Sequence, residues 1–193
     1  MKTLMMGVVL AVMATTAGAQ SYVGAAIGSG KYKSDCLGST NCDMRDTVVK
    51  LYAGQRVNEW MNAEASYIRF GKGTIKGSGV VDGVAISGTF TQRAQALVLG
   101  AAFRHEFVPG LEGVARLGAA VVHGKFSVGG TANGTPVALS RSETTVRPYF
   151  GLGLAYSFLP ELKATLDYDR TSMSVDGETE GVQAFMAGVA YQF

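Results

Sequence analysis

Nine charged side chains recur through this sequence where a two-residue period places them on one side of extended chain: Lys50, Arg56, Glu64, Arg104, Arg116, Arg147, Lys163, Asp167 and Asp169. Apolar or aromatic residues flank several of them, as Val49 and Leu51 flank Lys50, Ala115 and Leu117 flank Arg116, and Leu166 and Tyr168 flank Asp167. Mixed charges on a face opposite an apolar one have the chemistry of an internal ion-pair network, because a lone buried charge is severely penalised. Catalysis would instead need a nucleophile beside a base. The histidines are His105 and His123, and Ser127 shares a strand face with His123 but lies about 13 Å further along extended chain, beyond direct hydrogen bonding. Gly151-Leu152-Gly153 lacks the remainder of a nucleotide-binding glycine fingerprint and reads as a pair of inward glycines.

The start of the chain sets the compartment. Met1-Lys2-Thr3, an apolar stretch from Leu4 to Met13 and Ala17-Gly18-Ala19 have the form of a secretory signal peptide, with cleavage expected after Ala19. Export favours a disulfide between Cys36 and Cys42, which would close a small loop and contribute about 2 kcal/mol in the chain-entropy picture. The same two cysteines, with no histidine near them, supply too few ligands for a metal. With 17 basic and 15 acidic side chains the net charge is +2, which gives no footing for nucleic-acid binding. No cofactor is expected.

These side chains must be positioned by strands. The last stretch, G-V-Q-A-F-M-A-G-V-A-Y-Q-F, alternates: Phe185, Ala187, Val189, Tyr191 and Phe193 share one face, and smaller or polar residues take the other. Seven earlier stretches alternate likewise, at residues 22–30, 47–57, 60–70, 89–107, 111–128, 144–158 and 162–173. Tight turns are expected at Asn58-Glu59, Val108-Pro109-Gly110 and Leu159-Pro160-Glu161, and longer polar loops over residues 31–46, 71–88, 129–143 and 174–180, with a small hairpin at Val80-Val81-Asp82-Gly83 and a turn at Asn133-Gly134. After residue 19 no apolar run reaches the roughly 18 residues of a membrane helix. The apolar faces of the eight segments carry no Asp, Glu, Lys or Arg, as a lipid-facing wall requires, since a charge near the bilayer midplane costs about 2–4 kcal/mol.

The expected fold is therefore all-β, an eight-stranded antiparallel up-and-down transmembrane β-barrel over residues 20–193 behind a signal peptide at 1–19. Short turns and both termini would lie on the periplasmic side and the longer connections outside. Phe103, Phe107, Tyr156, Phe158, Tyr191 and Phe193 would form one interfacial girdle, and Tyr67, Phe70, Phe126 and Tyr168 the other. Lys31, Lys33, Arg45, Lys72, Lys76, Arg93, Lys125 and Arg141 fall in or near the long-loop rim, within reach of lipopolysaccharide phosphates.

The phrases Y-V-G-A-A-I-G, R-P-Y-F-G-L-G-L-A-Y and A-T-L-D-Y-D and the closing V-A-Y-Q-F, set in this eight-strand cadence, resemble the small OmpA-like outer-membrane β-barrel family that includes opacity-type surface antigens. The resemblance implies the outer membrane of a Gram-negative bacterium. It also implies that Tyr191 and Phe193 of the final strand are read by the barrel assembly machinery. The chain departs from full-length OmpA in having no peptidoglycan-binding domain after Phe193. The implied role is structural, with surface loops meeting a host or environmental ligand. A narrow diffusion pore is the alternative, and a lipid-modifying enzyme is less favoured because His123-Gly124-Lys125-Phe126-Ser127 lacks the His-x-Ser-Asn phrase of lipid A deacylases.

Overall fold

The computed structural model describes residues 20–32, 41–81, 84–132, 135–175 and 178–193. The signal segment 1–19, Lys33, Cys36, the hairpin tip at Asp82-Gly83 and the turn at Asn133-Gly134 lie outside these residues.

Among the described residues nine strands form one sheet: β1 (Ser21–Tyr32), β2 (Asn41–Asp43), β3 (Arg45–Arg56), β4 (Met61–Val81), β5 (Val84–Val108), β6 (Leu111–Ala132), β7 (Thr135–Ser157), β8 (Leu162–Val175) and β9 (Glu178–Gln192). All pairings are antiparallel, and the β1–β9 and β4–β5 ladders close the sheet on itself. Closure leaves no wall edge within lipid, where an unpaired backbone group is costly. Short β2 continues the line of β3 beyond Met44 and pairs with β4 at Lys76, Ile75 and Thr74, so the wall itself has eight strands, as the alternation predicts.

Alternation sorts the side chains. Ile27, Leu51, Leu99, Leu117, Leu152, Leu166, Phe185 and Val189 face outward and are exposed, whereas Ala26, Tyr52, Val98, Ala120, Ala155 and Met186 face the interior and are buried. The turns at the terminal end are tight. At the first, Asn58 Oδ1 accepts from the backbone N–H of Trp60 and Met61 at 3.1 and 2.8 Å. At the second, Gly110 takes φ 84°, a left-handed conformation that glycine adopts without steric cost.

The opposite end departs from the sequence reading. Residues 71–88 and 129–143, expected as loops, are largely strand, and β4 and β5 pair as far as Val81↔Val84 while β6 and β7 pair as far as Ala132↔Thr135. Gly, Ser and Thr make these stretches look like coil, yet a ladder already in register in the wall needs only main-chain groups to continue. Tyr32, expected in a loop, ends β1. Phe70 and Phe126, expected in the outer girdle, instead point inward: Phe70 is fully buried and Phe126 packs against the interior apolar cluster.

One irregularity in β4 shapes the outer half. Arg69 pairs with Gln95 but Lys72 with Arg93, so Phe70 and Gly71 together oppose Ala94. This is a bulge with its glycine at φ 77°. The bulge breaks the local ladder, and the Tyr32 hydroxyl from β1 repairs it: it accepts from the Ala94 N–H at 3.0 Å and donates to the Gly71 carbonyl at 3.1 Å. Asp46 anchors the other side by accepting from the Lys72 N–H at 2.7 Å. Outward-facing residues have odd numbers up to Arg69 and even numbers from Lys72 onward.

Candidate functional site

The lumen has two storeys. Towards the protruding end it is apolar, with Tyr32, Val48, Ile68, Phe70, Val122, Met173, Val182 and Met186 buried in one cluster. Val182 and Met186 fall on the inward side of the closing strand by alternation, but the expected lumen is mainly charges, glycine and alanine, and Tyr32 and Phe70 are expected in a loop and in the outer girdle. Their signal is an alternation with its polarity reversed: Ile68-Arg69-Phe70 puts its cation outward and its apolar groups inward.

Below this cluster lie the charges. Arg116, on β6, donates from Nε to Glu64 Oε1 on β4 at 2.9 Å and from Nη1 to Asp167 Oδ1 on β8 at 2.5 Å. Glu64 also accepts from the Tyr22 hydroxyl at 2.7 Å. Lys50 Nζ donates to Asp169 Oδ2 at 2.7 Å and to the Tyr149 hydroxyl at 3.2 Å, while Tyr149 donates to Asp169 Oδ1 at 2.6 Å. Lys50, Glu64, Arg116, Asp167 and Asp169 are all buried. Lys50, Glu64, Arg116 and Asp169 each meet two partners, whereas Asp167 meets Arg116 through Oδ1 while its buried Oδ2 meets none; one partner removed leaves the other stranded.

Nearer the tight turns, Glu112 bridges Arg104, at 3.1 Å, and Lys163. The Arg104 guanidinium also lies over the Tyr22 ring, 4.4 Å from its centroid. Two residues of the expected network lie apart from it. Arg56 is exposed and donates to Gln20 Oε1 at 2.6 Å and to the Asn58 carbonyl at 3.3 Å, closing a turn. Arg147 is half-buried and hydrogen-bonds Ser174. Parity alone could not exclude them, because it says which side of the wall a residue faces but not its height.

Glycines make room for the charges. Gly151 pairs with Asp169 and Gly153 with Asp167, and a Cβ at those glycines would lie 2.7 Å and 2.6 Å from the respective carboxylate oxygens. Gly24 pairs with Tyr52 and Gly54 with Tyr22, so each ring crosses a glycine on the neighbouring strand. The sequence placed these tyrosines inward, but their roles as hydroxyl partners depend on register between strands distant in sequence. The cavity at the tight-turn mouth is about 180 Å³, lined by Tyr22, Arg56, Arg104, Glu112 and Lys163 among others. The pocket above it, between Arg116 and Lys163, is about 10 Å³, roughly one water.

Among the described residues, His123 and Ser127 do not form a catalytic pair. His123 faces outward and shares a 2.9 Å hydrogen bond with Thr144 Oγ1, and Ser127 bonds Ser140 Oγ at 3.3 Å. His105 stacks edge-on with Phe107 at 5.5 Å in the girdle. Cys42 is half-buried on β2 and packs against the interior cluster. Its expected partner Cys36 lies outside the described residues. Tyr191 on β9 and Phe193 just after it are exposed and meet edge to face at 5.1 Å. The Phe193 N–H donates to the Ser21 carbonyl at 2.8 Å.

Outside the lumen, β4 to β7 extend past the other strands as a protruding sheet. The β7–β8 ladder stops at Phe150↔Arg170 while β6–β7 continues to Thr135, so residues 137–147 of β7 form an edge between Pro136 and Pro148. Proline has no N–H for a ladder and is tolerated at such an edge. Every residue from 135 to 144 is exposed, and Val137, Leu139 and Val146 are large apolar groups among the exposed ones.

The family model of the OmpA-like transmembrane domain matches residues 16–193. No curated protein sequence matches. Among solved structures, the chain is similar to the attachment invasion locus protein Ail of Yersinia pestis, crystallised with the heparin analogue sucrose octasulfate. The TM-score is 0.56 at 20% identity, covering 91% of this chain and 99% of Ail. The N-terminal β-barrel domain of Pseudomonas aeruginosa OprF gives 0.52 at 16%, covering 90% and 97%. Neisserial surface protein A gives 0.51 at 15%, covering 92% and 100%. At these identities the likeness is one of fold.

Proposed function

The chain belongs to the OmpA-like transmembrane domain family, and from that premise we propose that it is a non-enzymatic barrel of the Gram-negative outer membrane that strengthens the envelope and presents its protruding sheet to an external ligand. The observation that carries the second half is the β7 edge. A row of main-chain groups on an exposed strand with alternating apolar side chains can accept an extended peptide by strand addition. An attachment role has a parallel in the name of Ail, whose barrel this one resembles.

Further parts of the reading are proposals of the same kind. Residues 1–19 are a cleaved export signal and residues 20–193 the mature barrel. Cys36 and Cys42 form a disulfide that pins the β1–β2 connection. Tyr191 and Phe193 are presented to the barrel assembly machinery. The cationic rim meets lipopolysaccharide, and the ligand of the protruding sheet is a host or environmental surface protein.

The test of the main reading uses the intact protein and a variant whose β6–β7 hairpin is cut back to the membrane, both displayed on cells and applied to immobilised extracellular-matrix proteins. Adhesion should fall to the level of cells lacking the protein when the hairpin is shortened. Undiminished adhesion by the shortened barrel would falsify the strand-addition reading.

A further inference from the structure

The protruding sheet has two faces, and the one continuous with the lumen ends in a distinct order of side chains on β7. Ser142 pairs with Lys125, Thr144 with His123 and Val146 with Val121, so Ser140, Ser142 and Thr144 continue the outward face. Val137, Leu139, Arg141 and Glu143 take the other. There Ile75, Phe90, Val128 and Leu139 pair in one row across β4 to β7. The row grows out of the interior apolar cluster: Ile75 and Phe126 pack against that cluster, and the Phe90 and Phe126 rings lie 5.4 Å apart. Its last member, Leu139, is 59% exposed. One row nearer the membrane, Gly73, Gln92 and Phe126 lead to Arg141 on β7, and in the next row Ala94 and Gly124 lead to Glu143.

From the tip towards the membrane the edge thus presents two aliphatic groups, a cation and an anion, with successive side chains on this face about 7 Å apart. All four are exposed. The β7–β8 ladder ends at Phe150↔Arg170, and Arg147 hydrogen-bonds Ser174 on β8. Beyond that, among the described residues, no strand pairs with the outer side of residues 137–144. The opposite margin of the protruding sheet is partly covered, because β2 pairs with Thr74, Ile75 and Lys76 of β4.

We infer that the β7 edge selects a protein segment by the order of its side chains. The segment adds antiparallel to β7 and presents, at every second residue from its N-terminal end, a base opposite Glu143, an acid opposite Arg141 and aliphatic groups opposite Leu139 and Val137. This deepens the strand-addition reading and rests on it. Side chains directly opposite across an antiparallel pair share a face and lie about 5 Å apart, where opposite charges attract and like charges repel. A segment with its two charges exchanged therefore meets two repulsions in place of two attractions. The aliphatic residue opposite Leu139 adds a fifth member to the Ile75–Phe90–Val128–Leu139 row and takes its exposed end out of water. On the reverse face, hydroxyl residues of the segment can exchange hydrogen bonds with Ser140, Ser142 and Thr144. The direction follows from position: an added strand continues the line that β8 holds lower down, and β8 runs antiparallel to β7.

The test is an NMR titration of the isotope-labelled full-length barrel in micelles with synthetic octapeptides. T-K-T-E-T-V-T-V, whose first residue falls opposite Thr144, should shift the amides of residues 137–144 and bind at least tenfold more tightly than T-E-T-K-T-V-T-V. The reversed V-T-V-T-E-T-K-T, which offers the same order only to a parallel addition, and T-K-T-E-T-S-T-S, which lacks the aliphatic pair, should each bind at least tenfold more weakly than the first. In Arg141→Glu/Glu143→Arg the preference between the first two peptides should invert, with heat-modifiable migration of the barrel unchanged. Equal binding of those two peptides, or a preference that survives the exchange in the barrel, would overturn the order and leave strand addition standing. Tighter binding of the reversed peptide would overturn the antiparallel placement. If no peptide perturbs residues 137–144, strand addition falls together with the order.

Discussion

At the scale of residues, the interior depends on groups that each satisfy more than one partner. Arg116 neutralises Glu64 and Asp167 together, so Arg116→Met leaves two carboxylates stranded. By the usual cost of breaking a buried pair it should destabilise the barrel by about 3–5 kcal/mol in urea-unfolding experiments in lipid vesicles. Combining it with Glu64→Gln and Asp167→Asn should recover part of that loss, and no recovery would mean that the charges are not coupled. Tyr32→Phe tests a different element of satisfaction. It removes the hydroxyl that links the Ala94 N–H to the Gly71 carbonyl, and an unmade buried hydrogen bond costs about 1–3 kcal/mol. Hydrogen exchange at Ala94 should accelerate in that variant while exchange in β8 and β9 stays unchanged. The inward parity of Arg116 and Tyr149 was legible from their neighbours. Their partners were not, because they are set by the stagger between strands 20 to 99 residues apart in sequence, which no local pattern encodes.

At the scale of elements, the eight wall strands were legible because each alternates where lipid meets the wall. The lipid face tolerates no charge, so its pattern stays clean. Above the membrane that constraint lapses. The outer parts of β4 to β7 are written in Gly, Ser and Thr and resemble loops, although their backbones remain paired. β7 is the clearest case: residues 150–157 lie between β6 and β8, and among the described residues 137–147 share a strand ladder with β6 alone. Limited proteolysis of the folded protein should therefore cut first at the tips and along this edge, leaving a resistant core that contains β1, β3, β8 and β9. Cleavage first within the tight turns would contradict this. The glycines opposite the acids give a packing test: Gly153→Val would drive a side chain against Asp167 Oδ1 and the Leu166 carbonyl, 2.6 and 3.0 Å from a Cβ. Its midpoint of unfolding should fall, whereas Gly77→Val, where a Cβ meets nothing within 4 Å, should leave the midpoint unchanged.

At the scale of the whole molecule, the lumen is closed twice, by ion pairs in its lower half and by aliphatic and aromatic groups in its upper half. An ion entering from the tight-turn side would have to exchange partners with Arg116 and then pass an apolar storey that offers it no ligand. Planar bilayers should accordingly show no steady conductance from the wild-type barrel. Arg116→Ala should stay silent as well, since the apolar storey remains; steps from that variant would mean the upper storey does not seal, and reproducible ion-selective steps from the wild type would restore the pore reading. The mixed charges point to a filled interior, but the upper storey is masked because apolar groups turn inward there, so apolarity no longer marks the lipid face: Phe70 keeps the inward parity of Glu64 and Ile68 yet reads as a girdle aromatic. The register shift at Phe70 and Gly71 defeats a parity count only from Lys72 onward. That shift also makes β4 behave like a text whose reading frame changes partway along. Losing Gly71 alone would restore the frame, with Phe70 opposite Ala94 and Lys72 still opposite Arg93 on the outward face, so a one-residue deletion here should be far less damaging than one lower in the strand, which would exchange inside for outside beyond it.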